Sequence, residues 1–216
     1  MDKGHFITLE GGEGAGKSTQ IKRLAGALEA AGIKTVTTRE PGGAPGAEEI
    51  RNLLVNGDTK RWAPMAEVLL HTAARAEHLD KTVMPALMGG AWVLSDRFAD
   101  STLAYQGYGH GVDKKIIENI YRDAFADFKP DLTFIIDVSP DVGLARAGAR
   151  IAGNSGEDED RYERMGAPFH QRIRDGFLEI AKANPERCVV IDGTLDEDGV
   201  FSAIKKAVIN RFEIKI

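Results

Sequence analysis

Gly11-Gly12-Glu13-Gly14-Ala15-Gly16-Lys17-Ser18 constrains this chain more than any other stretch. It fits the pattern G-x-x-x-x-G-K-[ST], and it lies between an apolar run, Phe6 to Leu9, and a helix-like stretch that begins near Lys17. A strand, a glycine-rich turn and a helix in that order form a cradle for phosphate. Glycines let backbone N–H groups curl around the anion, and the helix N-terminus adds partial positive charge. Lys17 then reaches the terminal phosphates, and the Ser18 hydroxyl suits Mg²⁺. Gly11, Gly12, Glu13, Gly14, Ala15, Gly16, Lys17, Ser18 and Thr19 are the expected contacts to a nucleoside triphosphate. At this level the motif fits kinases, switches and motors alike.

A length of 216 residues predicts a single domain, and a net charge of -5 argues against broad nucleic-acid binding, so any bound polyanion must meet a local basic cluster. The only cysteine, Cys188, lies in an apolar run, which excludes an internal disulfide and fits a packing residue in a reducing cytoplasm. No run of apolar residues is long enough to span a membrane, and the N-terminal segment does not read as a signal peptide.

Five short apolar runs read as buried parallel strands: Phe6 to Leu9, Ile33 to Thr37, Ala91 to Leu94, Leu132 to Val138 and Cys188 to Ile191. Helical patterns alternate with them over Lys17 to Ala31, Ala47 to Leu54, Pro64 to Leu87, Lys114 to Phe125, Val142 to Arg150, Ala167 to Ala183 and Asp198 to Phe212. The alternation predicts an α/β fold of the doubly wound, P-loop NTPase type, a five-stranded parallel sheet with helices on both faces. The stretch from Ala152 to Asp160, glycine-rich then acidic, is expected to be a flexible loop.

Ser95-Asp96-Arg97 follows the third strand, where ligands bind in such a sheet. Asp96 is expected to join Ser18 at Mg²⁺, and Arg97 offers a planar fork to phosphate oxygens. Arg75, on a long helix, reads on its own as a solvated helix arginine, with a place in the cleft as the alternative. The segment from Arg97 to Gly109 collects hydroxyls, an amide and two tyrosines suited to a sugar and a polar ring, although Tyr105 and Gln106 also suit a core. Arg146, Arg150, Arg161 and Arg164 bracket the glycine-acidic loop, which reads either as a mobile lid over about 146–164 whose arginines close on a triphosphate or as a solvated charged helix pair.

With Gly11 to Thr19, Arg39-Glu40-Pro41-Gly42-Gly43, Ala73-Ala74-Arg75, Asp96-Arg97-Phe98 and Ser101 to Gly109 in one order, the chain resembles the thymidylate kinase family across nearly its whole length. The resemblance implies γ-phosphoryl transfer from Mg-ATP to dTMP for dTTP synthesis, and a homodimer. It implies acceptor contacts at Arg39, His71, Arg75, Arg97, Ser101, Thr102, Tyr105, Gln106, Tyr162 and Glu163, with Tyr105 crowding the sugar 2′ position. Lys17, Arg97 and Glu13 take catalytic places. Position 14 is glycine, so the chain resembles members whose donor arginine comes from the lid, with Arg146, Arg150 and Arg161 as candidates. Four residues before Arg75 the family usually places a phenylalanine that stacks on thymine, and this chain has His71. An imidazole there is expected to make acceptor binding weaker or more pH-sensitive than a phenylalanine would. Competing readings are a kinase for another nucleotide or nucleoside, a regulatory switch, and a nucleic-acid motor. The absence of an Asn-Lys-x-Asp motif weakens the switch, and the small acidic chain weakens the motor.

Overall fold

The computed structural model describes residues 4–126, 128–153 and 161–216, with residues 150–153 described by backbone alone. Five strands, β1 (Phe6–Glu10), β2 (Thr35–Arg39), β3 (Trp92–Asp96), β4 (Leu132–Asp137) and β5 (Cys188–Asp192), form one parallel sheet in the order β2-β3-β1-β4-β5. Parallel neighbours need crossovers, and the helices supply them: α1 (Lys17–Ala30), α2 (Pro45–Val55), α3 (Pro64–His78), α4 (Met84–Met88), α5 (Ala99–Thr102), α6 (Lys114–Phe125), α7 (Pro140–Gly153), α8 (Ala167–Ala183) and α9 (Glu197–Phe212). Glycine and proline punctuate the helix ends, with Pro45, Pro64 and Pro168 in first turns.

Side chains alternate along each strand, so β1 serves two cores. Ile7 and Leu9 pack with Leu24 and Leu28 of α1 and with Val200, Ile204 and Val208 of α9. Phe6 faces the opposite layer, against Leu79, Val83 and Leu87. On that second face Ile135 meets Phe169, Ile173 and Phe177 of α8. Each such side chain contributes roughly 1.5–3 kcal/mol by leaving water. The register sets Leu9 beside Asp96 and Glu10 beside Ile135, so the carboxyl ends of β3, β1 and β4 finish level where the strand order turns back.

The sheet and its helical layers match the sequence pattern, with several informative differences. β2 begins at Thr35 rather than Ile33 because Ile33 closes α1, donating its N–H to the Leu28 carbonyl at 2.9 Å. The expected helix from Pro64 to Leu87 is divided by a π-helical turn, Leu79–Val83. Pro85 has no N–H and would clash with the carbonyl four residues back, and the widened turn before it absorbs that mismatch. A second π-helical turn, Leu103–Gly109, prolongs α5. Helix α7 runs past its expected end to Gly153, while residues 154–160 of the expected flexible loop lie outside the described residues. Among the described residues no helix is long and apolar enough to cross a membrane.

Candidate active site

The phosphate loop joins β1 to α1. Gly16, the N-cap of α1, has φ 92° and supplies no side-chain cap, so the first-turn N–H groups stay open to an anion. Gly14 has φ 64°, and a Cβ there would stand 2.0 Å from the Gly143 carbonyl oxygen on α7, so loop and helix touch backbone to backbone. Lys17 is buried, and its Nζ donates to the carbonyls of Gly11 at 3.2 Å and Gly12 at 2.9 Å. Burial and the charge of Arg97 lower its pKa. Ser18 Oγ donates to Asp96 Oδ2 at 2.6 Å, which brings one hydroxyl and one carboxylate together at the strand end. This pair of oxygen donors fits Mg²⁺, a hard cation that keeps several waters and needs few protein ligands.

Arg97 lies just beyond β3 with φ 70°, a left-handed conformation that costs a non-glycine residue on the order of 1–3 kcal/mol. Its guanidinium donates to the Gly11 carbonyl at 2.9 Å, to Ser101 Oγ at 3.2 Å and to Glu13 Oε1 at 2.8 Å, and it stands 4.9 Å from the Tyr105 ring centroid. Burial works against the Glu13 charge, but Arg97, Lys17 and the 2.7 Å bond from Tyr105 Oη outweigh it and bring the carboxyl to about 2. Glu10, three positions earlier at the end of β1, behaves oppositely. Burial and then repulsion from Asp100 raise it to about 7, although Phe98 N–H and Ser101 Oγ donate to it at 2.8 and 2.5 Å.

The other wall of the cleft is built from α3. Arg75 is 2% exposed, and its Nε donates to Glu40 Oε2 at 2.8 Å while its Nη2 donates to Thr102 Oγ1 at 3.0 Å. Glu40 also meets His78 Nδ1 at 2.8 Å. The arginine is therefore held inward and is not a solvated helix residue. Glu67, one α3 turn before His71, is fully buried; Arg161, Tyr162 and Gln106 all donate to it.

Arg161 departs from the expectation of a lid arginine poised over a triphosphate. Its side chain is wholly buried and donates to Glu67 and to the carbonyls of Leu54, Asp58 and Thr59, the last three at 3.0–3.1 Å. A guanidinium that has surrendered its donors to carbonyls and a carboxylate acts as a clasp. The Arg150 side chain lies outside the described residues. Arg146 reaches the cleft from α7, where it donates to the Gly193 carbonyl at 3.1 Å.

His71 is half-buried, and its Nε2 lies 3.2 Å from Tyr162 Oη. Burial, then the charges of Arg75, Arg97 and Arg161, depress the imidazole to about 3. The expected pH sensitivity of this residue therefore does not arise near neutrality, because four guanidinium groups oppose a fifth positive charge.

One cleft of about 900 Å³ gathers these groups. Its walls include the loop from Glu13 to Thr19, together with Arg39, His71, Arg75, Asp96, Arg97, Ser101, Thr102, Tyr105, Gln106, Tyr162 and Glu163. Gly11 and Gly12 instead line a cavity of about 20 Å³ behind the loop. The cleft also contains Lys22 and Arg51, which the sequence reading did not single out, and Glu40, which it quoted only within a family stretch and gave no place in the site. The place of Glu40 directly after a strand end carried the signal, whereas a helical arginine such as Arg51 carries none. Glu67 left no trace either, since a glutamate in the first turn of a helix ordinarily serves the helix dipole.

The site has close parallels. A family model described as thymidylate kinase matches residues 9–204. Among similar chains, a thymidylate kinase of Caulobacter vibrioides is 51% identical over 98% of this chain and 99% of its own length. One of Trichlorobacter lovleyi is 46% identical over 98% of this chain and all of its own. The crystal structure of thymidylate kinase from Ehrlichia chaffeensis superposes with a TM-score of 0.74 at 39% identity, covering 95% of this chain and 98% of that one. With the family's model, its relatives and its fold all matched over nearly the full length, this chain belongs to the thymidylate kinase family.

Proposed function

We propose that this chain transfers the γ-phosphoryl group of Mg-ATP to a phosphate oxygen of dTMP, giving dTDP and ADP for dTTP synthesis. One observation carries the reading: the phosphate loop and a second, arginine-rich wall line the same cleft, which has room for two nucleotides. A hydrolytic switch has no use for the second wall.

The reaction needs no strong base. A phosphate monoester has its second pKa near ~6, so the acceptor is largely a dianion at neutral pH. The task is to bring two anions into line and relieve their repulsion. Lys17 and the open first turn of α1 hold the donor phosphates. Arg97, between Glu13 and the Gly11 carbonyl, stands where the acceptor phosphate approaches, with Arg39 nearby. Arg75 and Gln106 meet the base, His71 gives it a neutral face, and Tyr105 confines the sugar. Glu13, kept anionic, positions Arg97 and Tyr105. Ser18 and Asp96 would hold Mg²⁺, which supplies charge neutralisation between phosphates when bound.

The donor arginine falls to Arg146 or Arg150, since Arg161 is committed to the protein interior. The proposal includes a lid over about 146–164 within a single domain. It also includes a homodimer, for which the exposed Leu53 and Leu69 on the adjacent helices α2 and α3 offer apolar surface. Residence in the cytoplasm is part of the same proposal, and the single cysteine, Cys188, is a buried free thiol. A coupled assay of ADP release with dTMP, dUMP, CMP, AMP and thymidine tests the assignment. Turnover with dTMP above the others is expected, and ADP release that ignores every acceptor would replace the kinase with a hydrolase.

A further inference from the structure

Arg97 holds its guanidinium in the cleft from a backbone conformation that the chain does not favour. Its φ of 70° is left-handed, and strain of that kind persists only where the surroundings over-determine it. Three contacts pin this turn. Arg97 N–H donates to the Leu9 carbonyl at 2.9 Å, Ser95 Oγ donates to the Arg97 carbonyl at 2.8 Å, and Phe98 N–H donates to Glu10 Oε1 at 2.8 Å. Of these partners only Glu10 reaches from another strand with its side chain. Its second oxygen, Oε2, takes the Ser101 hydroxyl hydrogen at 2.5 Å. Ser101 has one hydrogen to give, and spending it on Glu10 turns the Ser101 lone pairs toward Arg97 Nη1, which donates to them at 3.2 Å. Glu10 thus fixes both the backbone that carries Arg97 and the oxygen against which the guanidinium rests. Asp100, on the same short helix, is engaged elsewhere, since its two oxygens accept from Arg187 at 2.6 and 2.9 Å. Glu10 is fully buried and does not line the cleft. A buried carboxyl is costly to keep, and here both of its hydrogen bonds among the described residues run to the segment that carries Arg97.

We propose that Glu10 is a positioning residue for the acceptor phosphate, holding Arg97 and Ser101 in the arrangement that presents the guanidinium to that phosphate. It acts through hydrogen bonds alone and meets no substrate. Without it, Phe98 N–H and the Ser101 hydroxyl lose their buried acceptor, the strained turn relaxes, and Arg97 swings off the line of approach. A displacement of this size at a charged hydrogen bond weakens binding of the phosphate while leaving the sugar and base contacts in place. The inference rests on the reading that Arg97 meets the acceptor phosphate.

The test is titration calorimetry of dTMP, and of thymidine, which has no phosphate, on wild type, Glu10→Leu and Glu10→Gln, with melting curves to verify folding. Leucine fills the space without an acceptor, whereas glutamine keeps an oxygen for Phe98 N–H and an amide hydrogen for Ser101 Oγ. Glu10→Leu should bind dTMP roughly tenfold more weakly or worse, with thymidine affinity within about twofold of wild type, and Glu10→Gln should restore dTMP binding. General damage to the fold would weaken both ligands together. A folded Glu10→Leu protein that binds dTMP as wild type does, one that loses dTMP and thymidine alike, or a Glu10→Gln protein no better than Glu10→Leu overturns the proposal. If Glu10→Leu does not fold, Glu10→Asp, whose carboxyl stops one methylene short of Phe98, takes its place with the same expected loss and the same overturning results. Wild-type protein that binds dTMP no more tightly than thymidine would instead overturn the place given to Arg97 at the acceptor phosphate, an outcome distinct from all of these.

Discussion

On the proposed reading, the two ends of the cleft recognise anions by different means. At the donor end the contacts are backbone: a left-handed Gly16, an uncapped helix start, and a lysine resting on the carbonyls of Gly11 and Gly12. At the acceptor end they are side chains fixed by buried ion pairs, Arg75 with Glu40 and Arg161 with Glu67. A backbone cradle is satisfied by local sequence and serves any nucleoside triphosphate. A frame of buried charges couples distant segments and holds one arrangement, which is what selection of a particular acceptor requires.

The contrast can be broken at either end. Lys17→Ala removes the phosphate-loop cation proposed for the donor phosphates, and kcat should fall about 10³-fold, or ~4 kcal/mol, with the melting temperature little changed. Steady-state kinetics beside calorimetry checks both halves of that statement. Arg161→Met should do the reverse and act first on the fold. It leaves Glu67 as an uncompensated buried carboxylate, at a cost of about 3–5 kcal/mol, which lowers the melting temperature by roughly 10 °C. An unchanged melting temperature would show that the acceptor frame does not depend on this clasp.

Glu10 and Glu13, at the junction of the two ends, should respond to pH with opposite sign. The Glu10 carboxyl is raised from 4.5 to about 7, so the folded chain keeps a proton that the unfolded chain releases. Its contribution to stability is present below about 4.5 and is lost as pH rises through about 7. Glu13 is lowered from 4.5 to about 2, and its contribution, present above 4.5, is lost as pH falls toward 2. Glu10→Gln should remove the loss on the alkaline side and make the variant more stable than wild type at about pH 8 by on the order of 1–3 kcal/mol. Urea titrations across this range would reveal it. The smallest effect belongs to His71. Because its imidazole titrates near 3, wild type and His71→Phe should show the same pH dependence of dTMP affinity between about pH 5.5 and about 8, and a slope confined to wild type would restore the titrating imidazole.

The same contrast explains what was legible in the chain. Strands declared themselves as short apolar runs, and the donor loop as a contiguous motif, because both are local. The π-helical turn that presents Tyr105 and Gln106 has no periodicity of its own to read. Arg161 looked like a lid arginine because four arginines flank a glycine-acidic stretch. Its partner Glu67 stands 94 positions earlier, and only the fold reveals that the pair is buried. Arg75 was ambiguous for the same reason, with Glu40 lying 35 positions before it. Backbone chemistry can be read from neighbours along the chain, whereas a buried charge is understood only when its counter-charge is found.

The most direct test of two nucleotides meeting in one cleft is to follow the label of γ-labelled ATP in the presence of Mg²⁺ and dTMP. The account predicts that label appears in dTDP in step with ADP, with none left on the protein and little in inorganic phosphate. Label released as inorganic phosphate at the same rate with or without dTMP would contradict it.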